Sequence, residues 1–223
     1  SLEEKVTMLH GPASGSCCEC DEKEGPLCNY TGNIAPNSRL GIPQIKMNDG
    51  PQGFRTDDAN KGTTTSWPSA LTLAATFDTG LASEWGHAMG QEFRDKGAGM
   101  QLGPGVNVAR LPECGRNFEY LSGEDPFLGR LMVAPVVKGI QAEGVVANVK
   151  HYVNNNQEYA QSATHSMPSS PPSRVTSHLL PLRLTRAAAR YNRGTVSAVV
   201  DERTEWEIYF HPFAAAVEAG AMS

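Results

Sequence analysis

Apolar positions along the chain switch between two patterns. Leu81, Trp85, Met89 and Phe93 recur at the spacing of one helix face. Asp78 stands where an N-cap is needed and Gly97 where the helix can close. This stripe reads as core packing. Elsewhere the apolar runs are short and bounded by turn residues. Ile42 to Met47, followed by Asn48-Asp49-Gly50-Pro51, predicts a strand that delivers Asp49 to its C-terminal end. Gly99 to Leu102 predicts a buried strand entering Gly103-Pro104-Gly105, and Val145 to Val149 a third strand ending at Lys150-His151. Phe127 to Gln141 is helical in pattern, with Pro135 expected to kink or divide it. Leu2 to Leu9 makes a short helix. Asp201 to Glu218 predicts two helices split near Pro212, with Gly220 as a cap and a further strand starting at Ala221. Strands alternating with helices imply an α/β fold with a parallel sheet and right-handed crossovers.

Two segments depart from this order. Residues 11–38 are polar and rich in Gly, Pro and Cys, and read as a loop. Residues 160–191 contain Ser-Ser-Pro-Pro and a basic end at Arg174, Arg183, Arg186 and Arg190, without any Asp or Glu. A long stretch without periodicity is out of place inside a compact domain.

Composition narrows the class. The chain has 223 residues, 39% hydrophobic and 19% charged, with a formal net charge of −5. That size supports a real core. The charge gives no electrostatic footprint for nucleic acid or an anionic membrane. No stretch approaches the roughly 20 apolar residues of a membrane span. Cys17, Cys18, Cys20 and Cys28 crowd one loop, and Cys114 stands apart. Cys17-x-x-Cys20 lacks the second pair of a zinc knuckle, which favours one or two local disulfides over a metal site. Asn29-Tyr30-Thr31 is a glycosylation sequon. Both features point to a secreted protein, although no signal peptide is visible and an upstream segment is expected.

The candidate chemistry lies at the predicted strand ends. Lys150-His151-Tyr152 closes one apolar run, and Gly103 to Glu119 forms a loop with two arginines and two carboxylates. Brought to the same end of a parallel sheet, these groups form a polar pocket suited to a hydroxyl-covered ligand such as a sugar. Each has a plainer alternative. Asp49 before Gly-Pro can be a turn residue. Arg110 and Arg116 can pair with Glu113 and Glu119 as loop scaffolding, the role favoured for Arg116 and Glu119. Glu124-Asp125-Pro126 is expected to order its loop and cap the following helix. His10, His87 and His211 show no partner.

Several ordered segments resemble glycoside hydrolase family 3, the β-glucosidase branch. They include Arg39-Leu-Gly-Ile-Pro43, Asn48-Asp-Gly-Pro-Gln-Gly-Phe-Arg55, Trp67-Pro-Ser, Gly103-Pro-Gly-Val-Asn-Val-Ala-Arg110, Gly115-Arg-Asn-Phe-Glu119, Ser122-Gly-Glu-Asp-Pro126, Val149-Lys-His-Tyr152 and Val200-Asp-Glu-Arg-Thr204. The resemblance implies that residues 1–223 are the N-terminal part of a TIM-type (β/α) barrel, truncated at the C-terminus, with its site at the C-terminal strand ends. It implies that Asp49, Arg55, Arg110, Lys150 and His151 hold the sugar beside the scissile bond. A carboxylate can accept two hydroxyl protons, while Arg, Lys and His donate. The family's retaining mechanism uses an Asp nucleophile and a Glu acid/base. Both are expected downstream, with no catalytic carboxylate in this chain, so these 223 residues are expected to be inactive alone. No metal or cofactor is implied. The expected substrate is a β-glucoside or oligosaccharide, with a β-xyloside or a non-catalytic sugar-binding remnant as alternatives. Residues 160–191 have no family counterpart, and are expected to be an insertion or a gene-model error.

Overall fold

A computed structural model describes residues 1–9, 30–56, 62–155 and 199–222. The cysteine cluster, His10, Asn29 and the segment 160–191 lie outside the described residues. Strands β1 (Gly32–Ile34), β2 (Ile45–Asp49), β3 (Met100–Gly105) and β4 (Val146–Lys150) form one sheet in that order. The parallel pairs are β2 with β3 and β3 with β4. Asp49, Gly105 and Lys150 therefore finish at the same end of the sheet. Strand β1 falls within the segment expected to be loop and pairs antiparallel to β2, Gly32 opposite Met47. Its polar Gly-Asn-Ile sequence gives no strand signal, since main-chain bonds to β2 define it. Strand β2 also runs past the predicted end at Met47. Asn48 is buried with both its side-chain oxygen and nitrogen hydrogen-bonded, so a polar residue continues the ladder there without an apolar pattern.

The helices are α1 (Leu2–Leu9), α2 (Ala70–Ala74), α3 (Thr79–Asp95), α4 (Pro126–Ala142) and α5 (Phe210–Glu218). Asp78 caps α3 by accepting from the backbone N–H groups of Gly80 and Leu81 at 2.8 and 3.0 Å. Asp78→Ala is expected to cost about 1 kcal/mol, measured by denaturant titration. Trp85, Met89 and Phe93 are buried, as their spacing predicts, while Leu81 at the first turn stays exposed. Asp125 caps α4 through the Phe127 N–H.

Two expected helix breaks are absent. Pro135 lies inside an uninterrupted 17-residue α4. It sits on the half-exposed side, one turn from exposed Leu131, where the unpaired carbonyl can take water in place of the missing N–H. Pro212 does not split the C-terminal helix either. A helical turn at Glu202–Thr204 passes through a π-helical stretch, Glu205–Tyr209, into α5, with Pro212 buried in the first turn of α5. The wider π turn immediately precedes the proline and absorbs its misfit. Asp201 is the N-cap of this run: the Thr204 hydroxyl and backbone N–H hold its carboxyl below the usual range. After Gly220, the Met222 N–H donates to the Ala147 carbonyl at 3.2 Å, so the chain returns alongside β4.

Helices α3 and α4 pack through a seam of small residues. A Cβ on Gly139 would lie 2.6 Å from the Ser83 carbonyl oxygen, and one on Gly86 would lie 2.6 Å from that of Val136. The two backbones touch directly. Phe93, Met132, Val136, Ile140 and Ala147 fill the space toward the sheet, and α5 adds Phe213 and Ala216. This packing holds β2, β3 and β4 at fixed spacing, which matters for the charges at their ends.

Candidate functional site

Asp49 and Lys150 are 101 positions apart in sequence and form an ion pair, Lys150 Nζ donating to Asp49 Oδ1. Their strands are separated by β3, so the gap between backbones is about 10 Å. A long, flexible stem is needed to cross it, and Lys supplies one. The Lys150 side chain is 14% exposed and that of Asp49 27%. Arg55 approaches the other oxygen, Asp49 Oδ2, at 3.6 Å from a side chain that is 71% exposed. One carboxylate thus faces two cations of different exposure.

The loop that carries Asp49 and Arg55 is closed by its own main chain. The Arg55 N–H donates to the Asp49 carbonyl at 3.1 Å. Asn48 Nδ2 donates to the Arg55 carbonyl at 2.8 Å, and Asn48 Oδ1 accepts from the Thr31 hydroxyl at 2.9 Å. That hydroxyl oxygen also accepts from the Asp49 N–H at 3.2 Å. Gln101, buried on β3, donates to the Gly50 carbonyl. A side chain at position 50 would meet Phe93 at 2.3 Å, so only glycine lets the loop lie on the core. Across from it, Glu92 of α3 accepts from the Thr65 N–H and from Trp67 Nε1, both at 2.7 Å, and fixes the 62–67 segment. A cavity of 410 Å³ is lined by Asp49, Gln52, Arg55, Thr64, Ser66 and Glu119, among others. Its lining suits a polyhydroxylated ligand: carboxylates to accept, and amide, hydroxyl and guanidinium groups to donate.

A second cluster adjoins the first through Glu119. Arg116 is ion-paired with buried Glu119, as the scaffolding reading expects. The same guanidinium lies 3.3 Å from His151 Nε2, and the Tyr120 hydroxyl lies 3.2 Å from His151 Nδ1. The His151 backbone is held from both sides by Asn107, whose Oδ1 accepts from its N–H at 2.6 Å and whose Nδ2 donates to its carbonyl at 2.9 Å. The Lys150–His151 and Gly103–Pro104 peptide bonds are cis.

The sequence-predicted residues thus fall into three places. Asp49, Arg55 and Lys150 meet. His151 follows Lys150 but turns both ring nitrogens to Arg116 and Tyr120, so its ring proton is already directed at a protein group. Arg110, on the loop leaving β3, is exposed and has no hydrogen-bond or ion-pair partner among the described residues; Glu113 does not pair with it. Arg116, read from sequence as scaffold, is the arginine placed against His151. Asn48, Gln101, Asn107 and Tyr120 escaped notice as site residues. Their one available signal is position: each lies in or beside the segments that end β2, β3 and the loop after it. His87, expected to lack a partner, contacts Glu143 at 3.1 Å on the outer surface. Among the described residues no cluster of His, Cys, Asp and Glu is arranged to hold a metal ion.

Comparison with known proteins gives the same picture. Residues 14–182 match the sequence profile of the glycosyl hydrolase family 3 N-terminal domain. The chain is 39% identical to thermostable β-glucosidase B of Acetivibrio thermocellus over 89% of its own length and 23% of that protein. It is 39% identical to β-glucosidase A of Aspergillus kawachii over 99% of its length and 22% of that protein. Among solved structures, β-glucosidase 3B of Thermotoga neapolitana in complex with glucose superposes with a TM-score of 0.73 at 34% identity, covering 98% of this chain and 26% of that one. A β-glucosidase of Paenibacillus barengoltzii gives a TM-score of 0.74 at 30% identity, covering 100% of this chain and 20% of that one. The chain therefore spans about a quarter or less of the relatives it matches. Its four-stranded sheet with packed helices is part of a TIM-type (β/α) barrel, and the chain belongs to glycoside hydrolase family 3.

Proposed function

We propose that the protein carrying this chain hydrolyses terminal β-linked glucose from glucosides or oligosaccharides, and that this chain forms the wall holding the non-reducing sugar. One observation carries the reading: Asp49 and Lys150, from separate parallel strands, meet beside a polar cavity at the strand ends, with Arg55 next to them. Charge-assisted hydrogen bonds of this kind compete best with water for sugar hydroxyls. The relatives' names, and the glucose in one solved neighbour, agree with that ligand class.

The same geometry argues against a catalytic role for these carboxylates. Retaining hydrolysis needs one free carboxylate to attack the anomeric carbon and one protonated carboxyl to assist departure. Asp49 is bound by Lys150 and Arg55, and Glu119 by Arg116. Both are committed to cations, which suits binding and orientation and not attack or proton donation. Nucleophile and acid/base are assigned to residues outside this chain. The cysteine cluster and the sequon support an oxidising, extracytoplasmic setting.

The test is nitrophenol release from the β-glucoside and the β-xyloside, using the protein that carries this chain. The glucoside is expected to be cut faster, and Asp49→Asn to lower kcat/KM by about a hundredfold or more. No glucoside turnover, or an Asp49→Asn variant within twofold of the parent, removes the reading. Faster xyloside turnover converts it to a β-xylosidase.

A further inference from the structure

We propose that the hydroxyls of Thr64 and Ser66 form a second sugar-binding wall of the cavity, and that Glu92 is the positioning residue that holds this wall against the Asp49 loop. This rests on the sugar-holding reading above and adds a wall and its support to it.

Two chain segments line the cavity together with Glu119: residues 49–55, which carry Asp49 and Arg55, and the run Thr64, Thr65 and Ser66. The side chains of the second segment are all hydroxyls. Those of Thr64 and Ser66 have no hydrogen-bond partner among the described residues. Each keeps its O–H donor and its acceptor lone pairs for a ligand. A pyranose carries hydroxyls around its whole ring, so a site that competes with water for it needs polar groups on more than one wall.

Glu92 sets where that wall stands. Its carboxylate oxygens accept from the Thr65 N–H and from Trp67 Nε1, both at 2.7 Å, and so hold the chain on either side of Ser66. Both partners are donors, and an acceptor-only group satisfies the two together. One turn further along α3, Lys96 Nζ donates to the Thr63 carbonyl at 2.6 Å. Phe93, next to Glu92, supports the other wall: a Cβ on Gly50 would lie 2.3 Å from its Cζ. The two walls touch at Gly53, where a Cβ would lie 2.9 Å from the Thr65 carbonyl oxygen and 2.8 Å from Trp67 Cδ1. The φ of Gly53 is +127°, a conformation open to glycine. Neighbouring residues of one helix therefore hold both walls. Losing a Glu92 bond shifts the hydroxyls relative to Asp49 without touching Asp49 itself.

The experiment measures KM, kcat and inhibition by glucose in the protein that carries this chain, with nitrophenyl β-glucoside as substrate and a thermal melt beside each variant. Thr64→Val combined with Ser66→Ala removes both hydroxyls. It is expected to raise KM and the glucose inhibition constant about tenfold, with kcat within about twofold of the parent. Glu92→Gln keeps the shape but turns an NH2 group toward one of the two donors, and is expected to raise KM about fivefold. In the Thr64→Val, Ser66→Ala background it is expected to add less than about twofold, because the groups it acts through are gone. A parent-like KM without the two hydroxyls overturns the wall. A fivefold effect of Glu92→Gln that persists in that background overturns the positioning role. Trp67→Phe withdraws one donor while keeping a ring, and repeats the Glu92 test with a milder change: KM is expected to rise about threefold, and a parent-like KM counts against the role. Asp49→Asn reports on the sugar-holding reading by itself. A large loss there beside parent-like wall variants sinks this inference alone, whereas a parent protein that cuts no β-glucoside overturns both.

Discussion

Lys150→Met is expected to lower kcat/KM for a β-glucoside by about a hundredfold while the protein still folds. Methionine keeps an unbranched stem of similar length and removes the charge. Asp49 would keep only Arg55, at 3.6 Å and on a largely exposed side chain. A hydrogen bond to a charged group contributes about 1.5–3 kcal/mol. At 1.4 kcal/mol per factor of ten that gives roughly ten- to a hundredfold. The upper end is expected because Lys150 both contacts the sugar in the proposed site and holds Asp49 in place. The stability cost is smaller than for a fully buried pair, because Asp49 retains access to water. Steady-state kinetics beside a thermal melt separates the two effects. Unchanged kinetics in a folded Lys150→Met protein would show that the ion pair is only a strut between β2 and β4.

Gly139→Val is expected to lower stability by about 3 kcal/mol. A Cβ at position 139 would lie 2.6 Å from the Ser83 carbonyl oxygen, 2.8 Å from the His87 nitrogen and 3.0 Å from the Gly86 carbonyl carbon. All three are backbone atoms of α3, so no side chain can rotate away. The helices must separate, opening the layer that contains Met132, Val136 and Ile140. Overpacking costs about 1–3 kcal/mol and occasionally more, and a helix–helix seam without compliant atoms belongs at the high end. An apparent midpoint lowered by about 6 °C or more is expected by calorimetry. A midpoint within about 1 °C of the parent would show that the α3–α4 seam yields to a side chain at little cost.

Much of this frame is legible in the sequence because local signals and packing agree. Asp78, the Trp85-Met89-Phe93 stripe and the run before Lys150 each state their role in a few residues. Asp49 and Lys150 are legible as strand ends, and parallel strands necessarily bring such ends together. What stays hidden depends on partners far away in the chain. Pro135 reads as a breaker because the sequence does not reveal that its side of α4 faces water. Gly32–Ile34 reads as loop because its strand character is supplied by β2. Arg116 reads as scaffold for Glu119, and that pair is found. Its second contact, to the imidazole of His151, lies 35 positions away and leaves no trace in the local spacing. Tyr120 looks like ordinary core until its hydroxyl is seen against a ring nitrogen.

The Thr31 hydroxyl also bears on how any glycan at this sequon should be studied. Thr31 completes Asn29-Tyr30-Thr31, yet its oxygen also joins Asn48 to the Asp49 backbone. Removing the acceptor site through Thr31→Ala would therefore loosen the loop that carries Asp49 as well, and a resulting loss of activity would be misattributed to the missing glycan. Asn29→Gln is the cleaner route, and Thr31→Ser, which preserves both the sequon and the hydroxyl, is its natural control.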